Sequence, residues 1–94
     1  MNTIMPNERY FHYNGQRISY REGEVLLACA KGWTIADTAE TLHISKKTIE
    51  RHRENIRLRF GLQEYHDLRC FATKLQPELK KWVKLPTKMG KDTH

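Results

Sequence analysis

The sequence has no long apolar run. Nothing in its 94 residues approaches the roughly 20 consecutive apolar residues that a membrane span requires. The opening M-N-T-I-M-P-N-E-R has none of the apolar centre of a signal peptide. The expected location is therefore the cytoplasm of a prokaryote-like cell, away from any membrane. Cysteine is scarce: Cys29 and Cys70 are too few for a disulfide framework. Each lies in an apolar helical pattern and reads as a packing residue. The five histidines are scattered, with no C-x-x-C or H-x-x-x-H spacing, so neither a metal nor another cofactor is expected. No nucleophile–base pair or phosphate loop is visible, and the chain is too short to shelter one, so an enzyme is not expected. Glu22, Asp37 and Glu40 read instead as capping and helix N-terminal residues. Acidic residues are outnumbered, 11 against 17 basic ones, giving a formal charge of +6 and a pI near 9.6. That balance points to nucleic acid or another acidic surface as partner.

What is there centres on residues 45–59, S-K-K-T-I-E-R-H-R-E-N-I-R-L-R. Wound at 3.6 residues per turn, it places Ile49, Ile56 and Phe60 on one stripe, flanked by His52 and Arg53. Lys47, Arg51 and Glu54 fall opposite, with Lys46 and Glu50 at the edge. Ser45 is the expected N-cap, and Gly61 the left-handed exit. A capped helix with one apolar stripe and one basic face fits a DNA major groove. On these residues alone, a solvated amphipathic helix explains the pattern equally well.

In chain order, residues 1–18 form an N-terminal arm. Asn14-Gly15 signals a two-residue turn, so residues 10–18 form either a short hairpin or an irregular arm whose Tyr10, Phe11 and Tyr13 cover the domain. Ser19-Tyr20-Arg21-Glu22 has capping-box spacing. Val25, Leu26, Cys29 and Ala30 then share one side of a helix that Gly32 ends. Thr34-Ile35-Ala36-Asp37 repeats the capping signal ahead of Ile35, Ala39 and Leu42. Ile44 plugs the short corner before Ser45. Two short helices across a tight turn, the second with a basic face, make a helix-turn-helix. After Gly61, Tyr65, Leu68, Ala72 and Leu75 recur at helical spacing, and Cys70 and Phe71 widen the apolar face. A face this wide suggests a second copy of the chain, with Tyr65, Leu68, Cys70, Phe71 and Leu75 in the dimer interface. The other reading is that the N-terminal aromatics cover it. Pro77 is placed to open a short last helix, and residues 76–94 form that helix and a basic tail in which Trp82 either docks or stays exposed.

The span from Ile18 to about Ala72 resembles the LuxR-type, GerE-like helix-turn-helix domain of bacterial transcription regulators. The matching pieces are R-E-G-E-V-L at Arg21 to Leu26, A-K-G at Ala30 to Gly32, and A-E-T-L-H-I-S-K-K-T-I-E-R-H-R-E-N-I from Ala39 to Ile56. Phe60-Gly61-Leu62 matches the apolar-Gly-apolar exit. The resemblance implies an all-α fold, a four-helix helix-turn-helix domain over residues 19–75. Its third helix reads the major groove of double-stranded DNA, and its fourth pairs two copies on a near-palindromic site. Carried over, Lys46, Lys47, Glu50, Arg51 and Glu54 stand at or near base edges, and Thr48, His52, Arg53 and Arg57 meet phosphates or the core. Departures from the family pattern include Thr38 where Ile is usual, with Trp33 as a candidate to repair the packing. Asp37 stands for Glu, Tyr65 for Arg, and Leu58 for a polar residue on the outward side. Family members commonly carry a sensor domain upstream; with so short an arm the expectation is either a stand-alone regulator, which Met1 and the arm favour, or a piece cut from something longer.

The expected function is thus sequence-specific DNA binding in transcription regulation. The alternatives are a protein-interaction module that pairs with a full-length regulator, or a polymerase-associated domain like region four of a sigma factor, with RNA polymerase as partner.

Overall fold

The computed structural model describes residues 10–88; the first nine residues of the arm and the tail from residue 89 lie outside the described residues. Asn14 and Gly15 both adopt positive φ, 51° and 76°, as the tight hairpin turn requires. They join β1 (Tyr10–Tyr13) to antiparallel β2 (Gln16–Ser19) with Phe11 opposite Ile18. Alternation along the strands turns both of those side chains inward, and both are buried. The arm is therefore a hairpin here, and of its aromatics Phe11 and Tyr13 cover the domain while Tyr10 stays exposed.

Four helices follow: α1 (Tyr20–Ala30), α2 (Ile35–Leu42), α3 (Lys46–Arg59) and α4 (Tyr65–Trp82). The first two start with the capping boxes expected from sequence. Ser19 and Glu22 exchange bonds of 3.1 and 3.0 Å, and Thr34 and Asp37 bonds of 2.9 and 3.3 Å. Two free amides at each start are thereby satisfied. Gly32 leaves α1 at φ 83° and Gly61 follows α3 at φ 67°. The α2–α3 corner turns through His43 at φ 59°, a left-handed non-glycine residue. Ile44 packs against Val25, Ala39, Leu42 and Ile49 and so closes the corner.

Two expectations about the helices need correction. First, α1 is not one-sided: residues 22–29 are all buried, because α3, α4 and the hairpin pack around it. Second, Pro77 opens no separate helix. It lies inside α4, which runs unbroken across the supposed boundary at residue 76. Leu75, Leu79 and Trp82 are buried on this continuous helix, and that burial outweighs the one backbone hydrogen bond that proline deletes.

Beyond α4 the chain has no regular secondary structure from Val83 to Lys88 and doubles back over the core. Val83 is buried, Leu85 packs against both core clusters, the Lys84 N–H donates to the Tyr20 hydroxyl at 2.9 Å, and Lys88 Nζ stands 3.6 Å from Asp37. Trp82 docks, stacked on Phe11 at 5.7 Å and edge-on to Tyr20 at 5.3 Å. Thr38, fully buried where an apolar residue was expected, donates its hydroxyl to the Thr34 carbonyl at 2.8 Å; the bond removes the penalty of an unpaired buried hydroxyl.

Gly23 explains its own presence in a helix. A Cβ there would sit 2.9 Å from Trp82 Cζ3 and 3.0 Å from Val83 Cγ2, and the ring is held by Phe11 and Tyr20. Gly23→Ala is predicted to destabilise the domain by about 1–2 kcal/mol, since overpacking of roughly 1–3 kcal/mol exceeds the helix-propensity gain. Thermal unfolding checks this; a raised melting temperature would contradict it.

Candidate nucleic-acid interface

Helix α3 is held from behind and at both ends. Ile49 and Ile56 are fully buried. Ser45 caps the start, accepting from the Thr48 N–H at 3.0 Å. At the far end, Arg59 donates to both oxygens of Glu22 at 2.7 and 2.9 Å, and to the Arg17 carbonyl at 2.9 Å. Burial alone would push the Glu22 carboxyl up, but the Arg59 guanidinium and the Ser19 N–H outweigh it and hold the group below its ordinary value. Glu24, buried beside Arg21, is instead pushed up by that burial.

With its core side fixed, α3 leaves Lys46, Lys47, Glu50, Arg51, Glu54, Asn55 and Leu58 exposed. Leu58, 63% exposed, stands on the outward stripe. A shallow open groove runs beside α3, lined by Thr34, Ile35, Ala36, Lys46, Glu50 and Glu54 among others. The first turn of α2 and the outward face of α3 therefore share one surface.

The four residues assigned to phosphates or core separate. Thr48 is half-buried and its hydroxyl lies 2.9 Å from that of Ser45 in the cap. His52 is half-buried, and its Nδ1 is enclosed with no hydrogen-bond partner. Burial holds its pKa below the ordinary value against the pull of Glu22, so it brings no full positive charge at neutral pH. Arg53 is only 7% exposed, and its Nη2 reaches the Trp33 carbonyl at 3.5 Å. Of the two roles the resemblance implied for it, phosphates or the core, this burial fits the core: it ties α3 to the α1–α2 loop. Arg57 donates to both oxygens of Glu54, at 3.1 and 2.7 Å, and to the carbonyls of Leu62 and Gln63 at 3.0 and 3.1 Å.

The dimer expectation for α4 is corrected in part. Leu68 and Leu75 are 1% and 2% exposed and belong to the core, so neither is free to meet a second copy. Phe71 is half-buried against Phe60 and Tyr13, with ring centroids 4.7 and 5.8 Å apart. The hairpin aromatics thus cover much of the wide apolar face. Cys70 is exposed, its Sγ 3.7 Å from His66 Nε2. The Tyr65 side chain lies outside the described residues. The outward side of α4 presents His66, Arg69, Cys70, Thr73 and Lys74. Sequence reasoning missed the Glu22–Arg59 pair, which joins positions 37 residues apart, and the tie from Arg57 to the α3–α4 turn.

A capped, back-supported helix with an exposed basic face follows a short helix across a tight corner. The family of bacterial regulatory proteins described as the luxR family matches residues 16–72, 57 of the 94 residues. The chain belongs to the luxR family. Among curated relatives, the oxygen regulatory protein NreC of Staphylococcus aureus strains JH9, JH1 and Mu3 / ATCC 700698 is 39% identical over 57 residues, 61% of this chain and 26% of each relative. The chain spans about a quarter of the length of those relatives. No solved structure matches it. Among the described residues no helix is long and apolar enough to cross a membrane, and no group of three or more His, Cys, Asp or Glu could hold a metal ion.

The Glu22–Arg59 pair sets a pH dependence. A carboxyl whose folded pKa is depressed stabilises the fold above its unfolded value, roughly 4.3, and that contribution is lost as pH falls through the folded value. Glu24, raised, has the opposite slope, and its effect falls in the range above its unfolded value rather than below it. Glu22→Gln is predicted to cost roughly 1–3 kcal/mol at neutral pH by stranding Arg59, and to flatten the fall in stability below the ordinary carboxylate range. Denaturant melts at neutral and acid pH test both; unchanged acid sensitivity would reject the assignment.

Proposed function

We propose that this luxR-family chain is a sequence-specific DNA-binding transcription regulator, with α3 entering the major groove. What carries the reading is the outward face of α3: Lys46, Lys47, Glu50, Arg51 and Glu54 all stand exposed on a helix fixed from behind by Ile49 and Ile56. The basic side chains neutralise phosphates and release counterions, which supplies the sequence-independent part of the affinity. Arg51, in the middle of the outward stripe, reads a guanine edge through its forked donors. Glu50 and Glu54 weaken attraction to phosphates, so their presence on this face favours base readout over bare charge.

Two copies bind a near-palindromic site with half-sites about one helical turn apart. Pairing uses the outward side of α4, His66, Arg69, Cys70 and Thr73, rather than its buried leucines. Oxygen regulation is the role of those relatives. Control of this chain by another regulator or by contact with RNA polymerase is compatible with the same arrangement, and a cytoplasmic location suits a DNA ligand.

The first test is a gel shift of the full chain on fragments selected from a random duplex library at moderate salt. A retained, enriched sequence is expected; equal retention of all fragments overturns the reading. Arg51→Ala should then weaken the selected site by roughly 1–3 kcal/mol more than random DNA. Lys46 lies at the edge of the outward stripe rather than on it, nearer the DNA backbone than the bases, so Lys46→Ala should weaken both alike and lower the salt slope by about one. Equal losses for the two variants on both DNAs would remove the division between base and phosphate contacts.

A further inference from the structure

Glu54 and Arg57 are arranged unlike an ordinary exposed pair. Glu54 offers both oxygens to one guanidinium, Oε1 to Nε at 3.1 Å and Oε2 to Nη2 at 2.7 Å. The guanidinium is itself pinned, because Nη1 donates to the Leu62 and Gln63 carbonyls just past the end of α3. Arg57 therefore spends its fork on the protein. Glu54 remains half open to solvent, with 52% of its side chain exposed against 27% for Arg57. At i+3 and i+7 from Arg51 and Lys47, it shares the outward stripe. Each carboxylate oxygen has two acceptor sites, so one on each stays free after Arg57 is bound.

We infer that Arg57 is a positioning residue which locks the Glu54 carboxylate as a fixed acceptor for the exocyclic amino group of a cytosine in the major groove. The inference rests on the DNA-binding reading above. An unpaired glutamate on a basic face would swing toward Lys47, Arg51 or solvent, and its many rotamers would blunt any preference. Held in a fork anchored to two backbone carbonyls, it keeps one orientation. The free lone pairs then accept from cytosine N4 and face the acceptor edges of guanine and thymine unfavourably. A lysine in place of Arg57 preserves the charge but not the planar bidentate fork, which separates positioning from phosphate attraction.

The experiment uses the full chain and the site selected above, with all four bases placed in turn at each position. Glu54→Gln is expected to move the preference at one base pair from cytosine toward adenine, since glutamine matches the adenine edge. Arg57→Lys is expected to lower discrimination at that same base pair by roughly tenfold, with the salt slope and the affinity for random DNA held. The double variant Glu54→Gln with Arg57→Lys should lose nothing beyond Glu54→Gln alone at that base pair, because the second change acts only through the first. Thermal unfolding of Arg57→Lys verifies that the α3–α4 corner is intact; were that variant unfolded, the base shift in Glu54→Gln still decides whether the carboxylate reads a base. An unchanged base profile in either variant overturns the inference, and so does a uniform loss on all sequences with the salt slope reduced by about one, the mark of a phosphate contact. A wild-type chain that enriches no sequence fails the DNA-binding reading itself, a result distinct from these.

Discussion

The carboxylate of Glu22 accepts from the Ser19 N–H at the start of α1 and from both terminal nitrogens of Arg59 at the end of α3. Arg59 also holds the Arg17 carbonyl in β2. Hairpin, first helix and third helix thus meet at one half-buried ion pair whose donors and acceptors are matched. Its worth lies in geometry rather than in coulombic energy. A buried pair gains little over an apolar substitute, but it admits only one register of α3 against α1. With that register fixed, Ile49 and Ile56 face inward, and the charged stripe has nowhere to go but out.

The same economy recurs along α3. Of its arginines, Arg53 and Arg59 tie the helix to the rest of the fold, and Arg57 ties its end to the following turn. Arg51 and the two leading lysines are left exposed. A helix that reads as mostly basic therefore divides into cations that fix its pose and cations that face solvent. The exposed cations of the face, Lys46, Lys47 and Arg51, therefore lie toward the N-terminal half of the helix.

Much of this was legible from residues alone. Capping boxes at Ser19 and Thr34, the cap at Ser45, the exits at Gly32 and Gly61 and the inward Ile49 and Ile56 are local signals, set by spacings of three or four residues. Asn14-Gly15 marked the turn, although only packing against Trp82 and α1 settled that it closes a hairpin. What stayed hidden was non-local. An arginine shows no sign of whether it will find Glu22, a carbonyl or solvent. The inward leucines of α4 looked available to a second copy because nothing in their spacing tells of the hairpin folded over them. Pro77 misled because a rule about helix starts was applied where tertiary burial carries the helix through.

The chain on either side of the family match bears on where this module can be cut. The luxR-family match ends at residue 72, in the middle of α4. Yet Phe11, Leu75, Leu79, Trp82 and Val83, five of the twelve residues of the larger core cluster, lie outside it. The unit of homology and the unit of folding do not coincide. Excising the matched span for a chimera or a graft would discard those five side chains and leave α1 bare along the flank where Gly23 makes room for them.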